Sequence, residues 1–290
     1  MQELKSTGEV RECVRALRKQ HGTIAFVPTM GNLHQGHLAL VEHARRRCGA
    51  VIVSIYVNPL QFTHNEDFSN YPRTLDDDRA ALKPLSVAAL FVPDESTMYP
   101  RGRDQQTRVV VPGLGDILEG EFRPGHFQGV TTVVTRLLNI VGPDVAVFGR
   151  KDYQQLAIVK RMVADLAIPV EIEGVATSRA DDGLALSSRN RHLTSEERAV
   201  APGLYRILEF CAGQVRAGAD IDQASRKGLS RLKAMGFVPD YLEVRRRSDL
   251  LRPGSADTDL VVLTAARLGR ARLIDSLEFD LEPGAKSPHP

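Results

Sequence analysis

The chain has 290 residues, enough for two domains that each bury a hydrophobic core. Its 38 basic and 36 acidic residues nearly balance, so the net charge neither requires nor excludes a nucleic-acid partner. The charged N-terminus lacks the apolar stretch of a signal peptide, and no window approaches the roughly 18 apolar residues of a membrane span. Three cysteines without metal-ligand spacing are typical of free thiols. We therefore expect a cytoplasmic protein with no membrane contact.

Through the first 175 residues, short apolar runs rich in β-branched residues alternate with amphipathic segments. Strands are predicted at residues 23–29, 50–57, 88–93, 145–149 and 170–175. Helices are predicted at residues 37–47, 126–141 and 153–167, the second from apolar residues at i, i+3, i+4 and i+7. This alternation predicts βαβ units, and hence an α/β fold with a Rossmann-like doubly wound parallel sheet.

The pattern changes after about residue 177. A capping box of Thr194 and Glu197 predicts the start of one helix that continues to residue 213, and a second helix is predicted at about 221–235. Residues 241–247 and 258–269 are predicted to form antiparallel strands. Helices followed by strands indicate an α+β unit, so we predict domains at 1–177 and 178–290.

The motif "PTMGNLHQGH" follows the first predicted strand and leads into a helix. Helix N-termini at the carboxyl ends of parallel strands bind anions, so we expect a phosphate to contact backbone N–H groups here. His34 and His37 would add imidazole donors, and Gly36 would let the phosphate chain approach the backbone. Two alternatives stay open: capping or surface histidines, and a metal site, for which no third ligand is evident.

Several later motifs carry groups suited to binding acids and phosphates. Asn58 and Gln61 offer neutral amides, although they also fit a simple turn after the strand. Arg123 of "RPGHF" suits a carboxylate, with a surface turn as the alternative. "LSSRN" at 186–190 offers two hydroxyls and a cation for a mobile phosphate lid. The acidic run 76–78 fits a first helical turn, or a role near Mg²⁺ or an ammonium group.

A strand followed by HxGH and a helix resembles the nucleotidyltransferase superfamily that includes the class I aminoacyl-tRNA synthetases. Six blocks in order resemble the pantothenate synthetase family more closely: "PTMGNLHQGHLALV", "YVNPLQF", "YPRTLDDD", "RPGHFQGVTTVV", "GRKDYQQL" and "DGLALSSRNRHLT". The resemblance implies a ligase that joins pantoate to β-alanine through a pantoyl adenylate, releasing AMP and pyrophosphate. It also implies ATP as co-substrate with Mg²⁺, a homodimer, and no nucleic-acid partner.

The resemblance assigns catalytic roles to His34, His37 and Lys151, and no protein-bound metal. It assigns ATP binding to Met30, Gly31, Asn32, Leu33, His34, Gln35, Gly36, His37, Gly149, Arg150, Lys151, Asp152, Ser178, Leu186, Ser187, Ser188 and Arg189. The acid substrates are assigned to Asn58, Gln61, Arg123, His126 and Gln155. Arg150 departs from the glutamate common in the family. Two alternative functions remain: another nucleotidyltransferase, and a non-catalytic nucleotide-binding protein of the same fold.

Overall fold

The computed structural model describes residues 1–62, 68–69 and 71–282. The chain divides into two compact units, here called unit 1 and unit 2. Unit 1 comprises Met1–Gly149 and Ile158–Ala176, and unit 2 comprises Arg150–Ala157 and Thr177–Pro290. Within the described ranges, no helix is long and apolar enough to cross a membrane.

Unit 1 is built on a sheet of six parallel strands in the order β1-β4-β3-β2-β5-β6. The strands are β1 (Gln2–Leu4), β2 (Ile24–Thr29), β3 (Ala50–Ile55), β4 (Ala89–Phe91), β5 (Val145–Gly149) and β6 (Glu171–Val175). The doubly wound parallel sheet and its five predicted strands are confirmed. The edge strand β1 was not predicted. It has only three residues, of which Leu4 alone is buried, so it is too short to show an alternation of apolar and polar residues.

Helices connect these strands. They are α1 (Thr7–His21), α2 (Gln35–Arg47), α3 (Leu75–Leu82), α4 (Glu95–Met98), α5 (Glu119–Phe122), α6 (His126–Val141) and α7 (Tyr153–Asp165). Helix α6 has its predicted bounds, since its apolar residues bury one broad face and Gly142 ends it in the left-handed conformation with φ of 57°. A 3₁₀ turn at Pro59–Gln61 follows β3.

The direction in which successive strands are added to the sheet reverses at β2, the strand that precedes the HxGH motif. Strands β2, β3 and β4 extend one way across the sheet, whereas β5 pairs with the other side of β2 through Ala25 and Val145. Ligands of doubly wound sheets bind at the carboxyl ends of strands that flank such a reversal. The carboxyl end of β2 is Thr29, directly before the motif.

In its described residues, unit 2 contains an antiparallel sheet in the order β7-β8-β9 and the helices α8 to α10. Its elements are α8 (Ser195–Val200), α9 (Gly203–Arg216), α10 (Ile221–Ala234), β7 (Val238–Arg246), β8 (Asp259–Leu268) and β9 (Ala271–Asp280). The single helix predicted from Thr194 to residue 213 was wrong, because proline lacks the N–H that a helix interior needs and Pro202 instead caps α9. Strand β9 was missed because charged residues interrupt its apolar pattern.

Candidate active site

The turn between β2 and α2 is held by one buried carboxylate. Asp78 is 2% exposed, and its two oxygens accept the backbone N–H groups of Asn32 at 3.0 Å and Leu33 at 2.7 Å. The hydroxyl of Thr74 lies 3.4 Å from both oxygens. Asp78 therefore fixes the conformation of the HxGH turn from the first turn of α3.

The turn needs glycine at position 31. Gly31 has φ of 78°, and a Cβ there would lie 2.9 Å from Asp78 Oδ2 and 3.0 Å from Ile55 Cγ2. Its N–H donates to the hydroxyl of Thr29 at 3.2 Å. The next residue, Asn32, also has positive φ, at 53°. The left-handed backbone and the close approach of Asp78 both exclude a larger residue at Gly31.

His34 and His37 cap helix α2 with their Nδ1 atoms. Nδ1 of His34 accepts the N–H of Gly36 at 3.1 Å, and Nδ1 of His37 accepts the N–H of His34 at 3.3 Å. The ring centroids are 4.1 Å apart. An Nδ1 that accepts carries no proton, so each neutral ring carries its proton on Nε2. Both histidines thus act as caps and keep an Nε2–H donor.

This capping changes the expected phosphate contacts. The backbone N–H groups of residues 31, 32, 33, 34 and 36 all donate to side chains of unit 1. The prediction that these N–H groups would receive the phosphate does not fit that arrangement. The imidazole Nε2–H groups and the dipole of α2 are the features that favour an anion here.

Gln61 lies beside this turn, 8% exposed, with its Nε2 3.0 Å from the sulfur of Met30. Its backbone carbonyl oxygen accepts Nδ1–H of His126 at 2.8 Å, so Nε2 of the neutral ring accepts Arg123 Nη1 at 3.0 Å. Arg123 also pairs with Glu119 at 3.3 Å, and both side chains are nearly buried. The predicted acid-binding residues of unit 1 therefore form one hydrogen-bonded group.

Helix α6 approaches this group closely because residue 129 is glycine. A Cβ on Gly129 would lie 2.1 Å from the carbonyl oxygen of Leu60 and 2.6 Å from Cα of Gln61. The Gly129 carbonyl accepts Asn58 Nδ2 at 3.1 Å. Any side chain at position 129 would push the 3₁₀ turn away from α6 and break this hydrogen bond.

In unit 2, the predicted phosphate residues lie on two segments that both bond to β9. Lys151 and Asp152 belong to a 3₁₀ turn at Arg150–Asp152, and Gln155 lies on the first turn of α7. The hydroxyl of Ser276 donates to the carbonyl oxygen of Arg150 at 3.0 Å. The Arg150 guanidinium also contacts Glu278 at 2.6 Å, so this residue binds β9 with both its backbone and its side chain.

Tyr153 strengthens this attachment, because its hydroxyl donates to Glu278 at 2.9 Å. Burial, reinforced by the charge of Glu278, raises the pKa of Tyr153 above its usual value. The hydroxyl therefore stays protonated and remains a donor throughout the physiological range.

The second segment is a hairpin that leads into "LSSRN". Leu186 N–H donates to the carbonyl of Ser178 at 2.9 Å. Arg179 binds both oxygens of Asp275 on β9, at 2.6 and 2.9 Å, and its guanidinium stacks 3.6 Å from the ring centroid of Tyr205. Asp275 is 4% exposed, so the pair is well shielded. Adjacent residues of β9 thus hold both segments.

The residues predicted to form a phosphate lid lie at the start of a short 3₁₀ helix, Ser188–His192. Ser187 caps it by accepting the N–H of Arg189 at 3.3 Å, and Asn190 donates to the carbonyl of Ala185 at 3.0 Å. The Ser187 hydroxyl therefore has a structural task in addition to the phosphate contact that we predict for it.

Three observations bear on the acidic residues. Among the described residues, no cluster of three or more His, Cys, Asp or Glu side chains could hold a metal. Asp76 is exposed and pairs with Arg79 at 2.6 Å, as expected for a helical first turn. The anchoring role of Asp78 was not predicted from the sequence. Its position three residues after Leu75 and four before Leu82 could have indicated it, because this spacing places Asp78 on the inward face of α3.

Comparisons with known proteins show the family to which the chain belongs. A family model described as "Pantoate-beta-alanine ligase" matches residues 2–278. The chain is 52% identical to a pantothenate synthetase of Shewanella baltica over 272 residues, 94% of this chain and 97% of that protein. Pantothenate synthetase from Thermus thermophilus superposes with a TM-score of 0.88 at 47% identity, covering 96% of this chain and 99% of that one.

A Francisella tularensis pantoate-beta-alanine ligase, complexed with beta-gamma ATP and beta-alanine, has a TM-score of 0.80 at 34% identity. The alignment covers 99% of this chain and 100% of that chain. Both solved structures therefore share the architecture of nearly the whole chain.

Replacing Asp78 with asparagine should disorder the HxGH turn. The NH₂ group of the new amide would face one of the two backbone N–H donors, leaving that donor unsatisfied at about 1–3 kcal/mol. We expect a comparable loss of unfolding free energy in urea and a fall of about tenfold or more in adenylation rate. Asp77→Asn removes the same charge from an exposed position and should leave both unchanged. Equal behaviour of the two variants would contradict the anchoring role.

Replacing Asp275 with asparagine should loosen the hairpin of unit 2, because it leaves the Arg179 guanidinium without its buried counter-charge. We expect a loss of about 3 kcal/mol in unfolding free energy and a raised KM for ATP. Asp280→Asn is the matched control, since Asp280 lies on the same strand but is largely exposed. An unchanged KM for ATP in Asp275→Asn would contradict the expectation that ATP binding depends on this attachment of the hairpin to β9.

Proposed function

Because the chain belongs to the pantoate-beta-alanine ligase family, we propose that it condenses pantoate and β-alanine with ATP, through a pantoyl adenylate, to pantothenate, AMP and pyrophosphate. The observation that carries this proposal is the pair His34 and His37, whose Nδ1 atoms cap the helix that follows a central parallel strand. ATP-dependent ligation is the activity of the family, and the residue roles below are our assignments.

The first step joins the pantoate carboxylate to the α-phosphorus of MgATP and expels pyrophosphate. A carboxylate is already a nucleophile at neutral pH, so this step needs alignment and neutralised charge rather than a strong base. We assign the Nε2–H groups of His34 and His37 to the phosphate oxygens. Met30, Gly31, Asn32, Leu33, Gln35 and Gly36 would shape the turn on which these histidines stand.

Unit 2 would supply the remaining charge. We assign Lys151 to the phosphates and Asp152 to the ribose or to the Mg²⁺ that accompanies ATP, for which a carboxylate oxygen is a suitable ligand. Ser187, Ser188 and Arg189 would hold the departing pyrophosphate. Gly149, Ser178 and Leu186 are assigned to ATP through their backbone. Arg150 contacts Glu278, and this pairing supports a structural role for the departure from glutamate.

The second step forms the amide bond. The neutral amine of β-alanine attacks the acyl carbon of pantoyl adenylate, the bond to the adenylate oxygen breaks, and AMP leaves with its electron pair. The nitrogen then releases one proton, either to the departing AMP or to solvent, to become the amide. Gln61 and Gln155 are assigned to pantoate, and Arg123 and His126 to the acid-binding side. We assign Asn58 to the region where β-alanine enters, where it would act through Gln61, to which its Nδ2 donates. No group among these residues is a strong base, so positioning would dominate catalysis. We assign proton handling or leaving-group stabilisation to His37.

The domain assignment is also a proposal. Residues 1–177 would bind nucleotide and pantoate, and residues 178–290 would serve as the lid. The homodimer and the cytoplasmic location remain predictions from the sequence, and analytical ultracentrifugation would test the first.

One assay tests the proposed function. We expect AMP release from ATP only when pantoate and β-alanine are both present, and pantoate-dependent exchange of pyrophosphate into ATP without β-alanine. AMP release with a phosphorylated acceptor instead would indicate another nucleotidyltransferase. ATP binding without AMP release under any of these conditions would indicate a non-catalytic protein.

Replacing His34 or His37 with asparagine separates capping from catalysis. Asparagine Oδ1 takes the position of Nδ1 and preserves the cap, whereas the Nε2–H donor is lost. We expect single-turnover adenylate formation to fall about 10²-fold with little change in melting temperature. His21→Asn, at the exposed end of α1, is the control. A near-normal rate in both variants would contradict the phosphate role of these histidines.

A further inference from the structure

A buried chain of hydrogen bonds runs from helix α4 to Gln61. The Tyr99 hydroxyl, directly after α4, donates to Asn58 Oδ1 at 2.6 Å, and Asn58 Nδ2 donates to Gln61 Oε1 at 3.0 Å. Tyr99 is 2% and Asn58 1% exposed. Neither the HxGH motif nor the predicted substrate residues include Tyr99, which lies 41 residues from its partner in the sequence.

Two backbone groups fix which way the Asn58 amide points. The N–H of Leu60 can only donate, and it lies 3.2 Å from Oδ1. The carbonyl of Gly129 can only accept, and it lies 3.1 Å from Nδ2. Exchanging the oxygen and nitrogen of Asn58 would place like groups against both. Asn58 then uses both amide hydrogens and both acceptor sites of its oxygen, so it has no capacity left for a ligand.

The orientation of Asn58 determines that of Gln61. Because Asn58 presents N–H, Gln61 must turn its oxygen toward Asn58, and its NH₂ group points the other way. In the described structure Gln61 Nε2 faces the thioether of Met30 at 3.0 Å, which is only a weak acceptor. A substrate oxygen would be a much stronger partner for these hydrogens.

We propose that Tyr99 and Asn58 are positioning residues that hold Gln61 with its amide hydrogens toward the acid substrate. The subsite then accepts an oxygen with a free lone pair, such as a carboxylate or hydroxyl oxygen, and rejects a donor such as an amide NH₂ or an ammonium group. This inference rests on the proposed function, in which Gln61 contacts pantoate. It explains why the NH₂ group of Gln61 would select an oxygen atom of that substrate.

Tyr99 suits the end of such a chain. Burial raises the pKa of its hydroxyl above the usual value, so it stays a donor. Without it, Asn58 Oδ1 keeps only the longer bond from Leu60, and the amide gains freedom to rotate. Buried networks of this kind lose order when one member is left unsatisfied.

The neighbouring Tyr56 provides a matched control. Its ring packs edge-on against that of Tyr99 with centroids 6.2 Å apart, and it is 8% exposed. Its hydroxyl has no hydrogen-bond partner in the part of the chain that the structure describes. Tyr56→Phe therefore removes the same atom from the same aromatic pair without touching the chain to Gln61.

The first test is steady-state kinetics of Tyr99→Phe and Tyr56→Phe. We expect Tyr99→Phe to raise the KM for pantoate about three- to tenfold, which corresponds to the loss of one hydrogen bond. The KM values for ATP and β-alanine and the value of kcat should stay within about twofold, and Tyr56→Phe should change none of them. A parallel rise of all three KM values, or equal effects of the two variants, would overturn the inference.

A double-mutant cycle tests whether Tyr99 acts through Gln61. Once Gln61→Ala has removed the amide, adding Tyr99→Phe should raise the pantoate KM no further. A multiplicative effect in the double variant would mean that Tyr99 acts by another route and would overturn the inference. Gln61→Glu places an acceptor where the NH₂ group stood, so we expect a higher pantoate KM than for Gln61→Ala; an equal or lower value would also overturn it.

The wild-type enzyme distinguishes the inference from the function on which it rests. Absence of pantoate-dependent AMP release in the wild type would overturn both. Normal wild-type activity with an unmoved pantoate KM in Tyr99→Phe would overturn the inference alone.

Discussion

The turn that carries the HxGH motif depends on the carboxylate of Asp78. Two successive residues with positive φ, Gly31 and Asn32, leave backbone N–H groups that no neighbouring strand can pair. Buried N–H groups without partners are costly, and Asp78 satisfies those of Asn32 and Leu33 together. Helix α2 can then begin at a fixed point, and its first residues place both imidazoles. Removing the carboxylate would release the turn before any catalytic group was changed.

This constraint also changes the interpretation of the HxGH motif. A helix N-terminus normally offers unpaired N–H groups to a phosphate. Here the Nδ1 atoms of the two histidines accept two of these N–H groups, those of His34 and Gly36. In the neutral rings, Nε2–H is then the remaining donor of each imidazole. A backbone N–H donor is fixed by the helix, whereas each Nε2–H donor stands on a side chain whose ring is held by the hydrogen bond at its Nδ1. In the function that we propose, the phosphate would therefore contact side-chain donors of this turn rather than its backbone N–H groups.

The sequence predicted the parallel sheet and the position of the HxGH turn because both follow from local patterns. Five strands alternate with helices at regular intervals, and α6 has the predicted bounds because its apolar spacing is continuous from His126 to Val141. Strand β9 escaped because Asp275 and Glu278 interrupt its apolar residues, yet these two residues bind Arg179, Arg150 and Tyr153. The charged residues that break the apolar pattern of β9 are therefore the same residues that attach the two segments to this strand.

The same reasoning explains why the polar partners of the site were missed. A motif shows which residues can contact a ligand, but the orientation of an amide depends on groups that are distant in sequence. Gln61 has neither a fixed donor end nor a fixed acceptor end on its own. Leu60 and Gly129 remove that freedom for Asn58, and Asn58 removes it for Gln61. Two backbone groups thus determine the hydrogen-bonding character of a predicted substrate contact, and only the folded structure brings them together.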